Sequence, residues 1–207
     1  MMRHGFSVAN SEKRFAGHSD YPLTELGMEQ AKKCAEALEN VKIDAIYASD
    51  LKRAYQTAMP VAESHDLEIT PCRGLREIYA GLWERKLFDE LCVEFADDYT
   101  AWRTDIGRVR CTGGESTAEL SERIIGTLKD IAAENEGKTV CIATHATPIR
   151  AVCTAAAGLD PSEMARIPWV TNASLNIFDF NGEDFIAVSV DNTDHLGDLR
   201  TRFPSNV

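Results

Sequence analysis

Short apolar runs alternate with amphipathic stretches along this chain, and that alternation limits the fold more than any other feature. Residues 139–143, Thr-Val-Cys-Ile-Ala, form a β-branched run of strand length. A helix is expected to begin just beyond it, near Thr147 and Pro148, because proline suits a first helical turn. The pairing recurs upstream. Residues 45–48 read as a strand ended by Ser49, and residues 50–65 as a helix with Leu51, Ala54, Ala58 and Val61 at helical spacing. Pro60 predicts a kink or a break in it. Thr24 can cap a helix over 25–39, with Ala31, Cys34 and Leu38 on one face. Residues 67–70 read as a strand, and residues 116–135 as a helix with a stripe of Leu120, Ile124, Leu128 and Ile131. Strands at 174–180 and 185–190 flank Asn181-Gly182, a hairpin signal. Residues 78–115 are less regular, with a helix expected at 87–103 among aromatic residues and arginines. The expectation is one α/β domain over 1–207, with a mostly parallel central sheet and helices on both faces.

Composition narrows the function. Lysine and arginine number 22 against 33 aspartates and glutamates, a formal net charge of −11 over 207 residues. That balance disfavours nucleic acid and anionic membrane surfaces as partners, since both need a cationic face. No apolar run is long enough to span a bilayer, and Met1-Met2-Arg3-His4-Gly5 is neither a signal nor a transit peptide. Six cysteines lie scattered without a C-x-x-C pair, which suits reduced thiols and a cytoplasmic location. The five histidines show no metal-ligand spacing, so no metal and no cofactor is expected.

In parallel α/β sheets the ligand lies beyond the carboxyl ends of strands. Three polar clusters fall at such places: Arg3-His4-Gly5, Ser49 to Arg53, and Thr144-His145. Each is weak alone. Together they resemble the histidine phosphatase (phosphoglycerate mutase-like) superfamily. Arg3-His4-Gly5 with Asn10 is similar to its opening motif. The rest follows in the family's order: Gly17-x-x-Asp20-x-Pro22-Leu23-Thr24-x-x-Gly27, Ser49-Asp50-Leu51-x-Arg53-Ala54-x-Gln56-Thr57-Ala58, Leu75-x-Glu77-x-x-x-Gly81-x-Trp83-Glu84, Gly113-Gly114-Glu115-Ser116 and Thr144-His145-x-x-x-Ile149-Arg150. The resemblance implies the phosphoglycerate mutase-like fold, with a helical lid near 78–115 that selects the substrate. It also implies His4 as a nucleophile forming phosphohistidine and Glu77 as general acid.

The residue types fit that chemistry. Arg3 and Arg53 can each offer a bidentate fork to phosphate oxygens. His145 can stabilise the transferring phosphoryl group. Asn10 can donate an amide N–H, and Ala146, standing where Gly is usual, retains its backbone N–H. Gly17 joins the expected phosphate-binding set. Gly5 is expected to allow close approach to the nucleophile. The cationic groups would supply the charge that Mg²⁺ supplies elsewhere.

Plainer readings apply to several residues. Glu84 competes with Glu77 as an acid. Ser116 starts a helix through a Ser-x-x-Glu capping box. His18 and His65 read as ordinary surface histidines, His195 as having no direct role, and the aromatics of 78–102 as packing. Only Met1 and Met2 precede Arg3, whereas a strand has about five residues. This suggests a shortened chain in which Arg3 and His4 are poorly anchored. Phe6, Ala16 and Arg85 depart from the family pattern and bear on substrate choice. The leading function is a metal-independent phosphatase acting on a small phosphorylated metabolite. A phosphoglycerate mutase and a weakly active phosphate-binding module are the alternatives. The oligomeric state stays open, a homodimer included.

Overall fold

The computed structural model describes residues 1–201. In chain order the elements are β1 (Met2–Arg3), α1 (Val8–Ser11), α2 (Glu25–Leu38), β2 (Ala45–Ala48), α3 (Lys52–His65), β3 (Ile69–Pro71), α4 (Phe88–Glu94), α5 (Ala96–Asp105), α6 (Thr117–Glu134), β4 (Val140–Thr144), α7 (Ala146–Ala156), β5 (Leu175–Phe180) and β6 (Phe185–Asn192). The six strands form one sheet in the order β3-β2-β4-β1-β5-β6. The four strands from β3 to β1 run parallel, and β5 is antiparallel to both its neighbours.

Period-two alternation sends successive strand residues to opposite faces. Ile46, Ala48, Cys141 and Ala143 pack under α2 and α3 with Cys34, Ala58 and Val61. Ile142 faces the other way, into a core with Leu120, Ile124 and Leu128 of α6 and Val152 of α7. Helix α7 is buried from Ala146 to Thr154, and its one charged side chain, Arg150, is hydrogen-bonded to the carbonyls of Met164 and Ile167. Thr24 caps α2, its hydroxyl accepting from the Gly27 N–H. Ser116 and Glu119 cap α6 reciprocally.

The structure rules out a break in one expected helix and divides another. Helix α3 runs unbroken through Pro60, so the lost bond to the carbonyl of residue 56 is tolerated at this partly exposed position. The helix expected at 87–103 is two helices, α4 and α5, meeting at Phe95, whose φ of −131° is not helical. Around them Trp83, Tyr99 and Trp102 are buried; Trp83 and Trp102 pack edge-to-face with Phe15 and with each other, and Tyr99 packs edge-on against Trp83. These rings are a core, as read from the sequence.

Register then assembles the site. Arg3 pairs with Thr144, and Ala48 with Ala143. The next residues along the chain, His4, Ser49 and His145, therefore emerge together at the carboxyl ends of three adjacent strands. A cleft of about 940 Å³ opens at the other end of the sheet, lined by Met1, Val140 and Phe178 among others, and touches none of these residues. No helix among the described residues is long and apolar enough to cross a membrane.

Candidate active site

Strand β1 has two residues, yet Arg3 and His4 are firmly held, contrary to expectation. The Arg3 N–H donates to the Ser174 carbonyl and the His4 N–H to the Thr144 carbonyl. The Ala173 N–H and the Asn172 amide both donate to the His4 carbonyl. Ala173 is in the left-handed region at φ +57°, and its own carbonyl meets His195 Nε2 at 3.0 Å. A strap at 172–174, backed by His195, thus replaces strand length as the anchor. Among the described residues, His195 reaches the site through this strap.

The His4 ring lies 5.2 Å from the His145 ring, centroid to centroid, in an edge-on arrangement. His4 Nδ1 is 2.7 Å from the Gly5 carbonyl. A carbonyl only accepts, so Nδ1 carries the proton and Nε2 the lone pair. Burial, then the charges of Arg53 and Arg3, hold the His4 imidazole well below its ordinary range. His145 is held down likewise, by burial and then Arg53. Both rings are neutral near pH 7. His145 Nε2 lies 2.9 Å from Ser49 Oγ, while its buried Nδ1 has no partner among the described residues.

Arg53 is 1% exposed and donates to the carbonyls of Ser19 and Gly17. Its Nε is buried without a partner among the described residues. Arg3, 3% exposed, donates to the Val170 carbonyl at 2.5 Å. Burial pushes both guanidinium groups down to about 10, with Glu77 pulling the other way. Two cations and two neutral imidazoles, all buried, leave this spot short of negative charge. The unpaired Arg53 Nε and His145 Nδ1 suit an oxyanion.

Glu77 approaches from the loop after β3. Its carboxylate accepts from the Ile78 N–H at 2.8 Å and from the Thr147 N–H at 3.4 Å, in the first turn of α7. Ala146 opens that helix and is buried beside His145; first-turn amides lack helical partners and suit anions. Asn10 spends Oδ1 on the Ser7 N–H and hydroxyl, and lies 3.3 Å from the Asn172 amide. Its own N–H₂ has no partner among the described residues. Gly17, at φ +46°, contributes a carbonyl to Arg53. Thr57 joins the clusters, accepting from the Gly5 N–H and donating to the Arg53 carbonyl.

Three assignments change. Gly5 is small because a Cβ there would lie 2.6 Å from the Gly27 carbonyl oxygen; the close approach is to α2. Glu84 is engaged in the wall of the site: its carboxylate accepts from the N–H groups of His18, Ser19 and Ala80. It holds the 17–19 loop whose carbonyls orient Arg53. His18 is half-buried, with Nε2 2.8 Å from the Glu77 carbonyl and its ring against Tyr79. It is part of the site wall. These roles depend on contacts between distant segments and had no local signal. Ser49, which opens the second polar cluster, takes a part no motif assigned to it, as the partner of His145 Nε2.

A family model described as "Histidine phosphatase superfamily (branch 1)" matches residues 1–193. The chain belongs to the histidine phosphatase superfamily. Among its relatives, phosphoserine phosphatase 1 of Hydrogenobacter thermophilus is 32% identical, over 96% of this chain and 94% of that protein. Phosphoglycerate mutase-like protein 4 of Arabidopsis thaliana is also 32% identical, over 95% of this chain and 85% of that one. Of solved structures, Bacillus stearothermophilus YhfR superposes with a TM-score of 0.90 at 28% identity, covering 94% of this chain and 96% of that one. A mycobacterial glucosyl-3-phosphoglycerate phosphatase in complex with VO3 gives 0.86 at 26% identity, covering 93% and 98%. The mostly parallel sheet flanked by helices is thus the phosphoglycerate mutase-like fold, and the chain is an enzyme of this superfamily.

Proposed function

We propose that this histidine phosphatase is a metal-independent hydrolase of small phosphomonoesters, working through a phosphohistidine on His4. The observation that carries the reading is the His4 tautomer. With Nδ1–H tied to the Gly5 carbonyl, Nε2 is left with its lone pair on a ring that packs edge-on against His145 and feels the charges of buried Arg53 and Arg3. Attack by Nε2 on phosphorus forms an N–P bond and breaks the ester P–O bond. Glu77 gives its proton to the departing alkoxide. Water then attacks phosphorus, Glu77 takes a proton from it, and the N–P bond breaks to release inorganic phosphate. Arg3, Arg53, His145, Asn10 and the Ala146 N–H stabilise the phosphoryl oxygens throughout. Gly17 orients Arg53 through its carbonyl.

Among the described residues no group of three or more His, Cys, Asp or Glu could hold a metal ion, and the positive charge comes from side chains. The relatives' names favour a small phosphorylated metabolite such as phosphoserine. Residues 78–115 serve as the lid that selects it, as part of one domain spanning the chain. All six cysteines are free thiols, which accords with a cytoplasmic enzyme.

The test is turnover by purified protein on an aryl phosphate, on a panel of phosphomonoesters including phosphoserine, and on a phosphoglycerate with a bisphosphate primer. Inorganic phosphate release, unchanged by chelator, is the expected result. Isomerisation far faster than hydrolysis, or loss of activity with chelator, would overturn the reading.

A further inference from the structure

Arg123, on α6, presents its guanidinium to the loop that carries Glu77. Its five N–H donors are all engaged. Nε and Nη2 grip the Glu115 carboxylate at 2.8 Å each. Nη1 donates to the carbonyls of Gly74 and Arg76, and Nη2 to that of Glu77. Five donors on five acceptors is the full capacity of an arginine, and three of those acceptors are backbone oxygens within residues 74–77. Glu115 completes the hold on the far side of Glu77. Its carboxylate accepts from the Tyr79 N–H at 3.1 Å, and its own N–H donates to the Tyr79 carbonyl at 2.8 Å.

The surrounding glycines show how close this fit is. A Cβ at Gly74 would come within 2.2 Å of the Thr127 hydroxyl on α6, and one at Gly114 within 2.2 Å of the Tyr79 carbonyl oxygen. The main chain on either side of Glu77 is therefore pinned at positions 74, 76, 77 and 79, all by one ion pair outside the reaction centre. Arg123 and Glu115 keep side-chain exposures of 25% and 14%. A partly solvated pair of this kind is weak as a stability device, yet its bonds converge on one loop.

We infer that Arg123 and Glu115 are positioning residues for Glu77, fixing the loop so that its carboxyl reaches the leaving oxygen. The inference rests on Glu77 acting as the general acid. It predicts a dependence on the leaving group. A nitrophenolate departs without a proton, whereas an alkoxide needs one. A misplaced acid therefore slows alkyl esters selectively, while damage to the phosphate cradle slows both.

The experiment compares kcat/KM on nitrophenyl phosphate and on glycerol phosphate for wild type, Glu77→Gln, Arg123→Gln, Arg123→Lys and Glu115→Gln. Glu77→Gln is expected to lose about a hundredfold more on the alkyl than on the aryl ester, in line with the usual worth of a general acid. Arg123→Gln and Glu115→Gln are expected to lose about tenfold more on the alkyl ester, with Arg123→Lys between them and wild type. Both substrates are measured on the same preparation, so their ratio is insensitive to an unfolded fraction. Should Arg123→Gln be insoluble, Arg123→Lys and Glu115→Gln carry the test. If Glu77→Gln is selective but the Arg123 and Glu115 variants lose equally on both esters, or on neither, the positioning role is wrong and the acid assignment stands. If Glu77→Gln itself shows no selectivity, both fall.

Discussion

The two buried imidazoles make the enzyme's stability depend on pH in a window they share with the Met1 ammonium, which burial also lowers from its ordinary value. His4 and His145 are both held well below their ordinary range, chiefly by burial, then by the Arg53 charge. In the unfolded chain each titrates near 6.5. As pH falls through that value the unfolded state binds two protons that the folded state refuses, so stability falls with pH. Between about pH 7.5 and 5.5 each histidine costs about 1.4 kcal/mol, and the pair about 2.7 kcal/mol. Carboxylates held below their usual range, such as Glu119 at about 2, lose their contribution only at lower pH. His18 and His195 are lowered too, but each is only half-buried and their effect is correspondingly smaller. Urea unfolding read by the buried Trp83 and Trp102 would measure the loss. The double variant His4→Asn, His145→Asn should shrink the loss between these pH values by about 2.7 kcal/mol, and each single variant by about half of that; the Met1 ammonium keeps its own share. Equal pH dependence in wild type and double variant would refute the assignment of both rings as buried and neutral.

Other perturbations give sharp outcomes. Gly5→Ala places a methyl 2.6 Å from the Gly27 oxygen and should destabilise by about 1–3 kcal/mol in urea titrations, through the packing of α2. Arg53→Lys keeps the charge but cannot hold both the Ser19 and Gly17 carbonyls while facing a phosphate. Its kcat/KM should fall about a hundredfold on aryl and alkyl esters alike. Glu84→Gln retains part of the grip on the His18 and Ser19 amides and should lower kcat/KM less than Glu84→Ala does, in steady-state assays.

What could be read in advance followed from periodicity and from local motifs. Strand β4, helices α2 and α6, and the hairpin at Asn181-Gly182 are set by short-range patterns, and their positions agree with expectation within two residues. His4, Arg53 and His145 were accessible because each follows a strand end or opens a helix, and parallel register does the rest. The misses share one cause. Glu84, His18 and Arg123 act on main-chain groups 40 or more residues away, and a sequence carries no mark of which carbonyl a side chain will meet. The firmness of β1 is hidden from the sequence for the same reason. Its support comes from Asn172, Ala173 and Ser174, about 170 residues downstream. Phe95 divides α4 from α5 although 87–103 has helix-like composition, because tertiary packing of the aromatic rings overrides a weak local propensity. The acidity of the chain, −11 overall, coexists with a buried cationic pocket, since contact-range attraction there outweighs a screened surface.

The central claim is covalent catalysis by His4, and rapid acid-free quenching during turnover tests it most directly. Radiolabelled phosphomonoester should leave a label on the wild-type protein that is stable in base, lost in acid, and located by peptide mapping at His4. His4→Ala should carry none. A label on another residue, or full turnover by His4→Ala, would contradict the account.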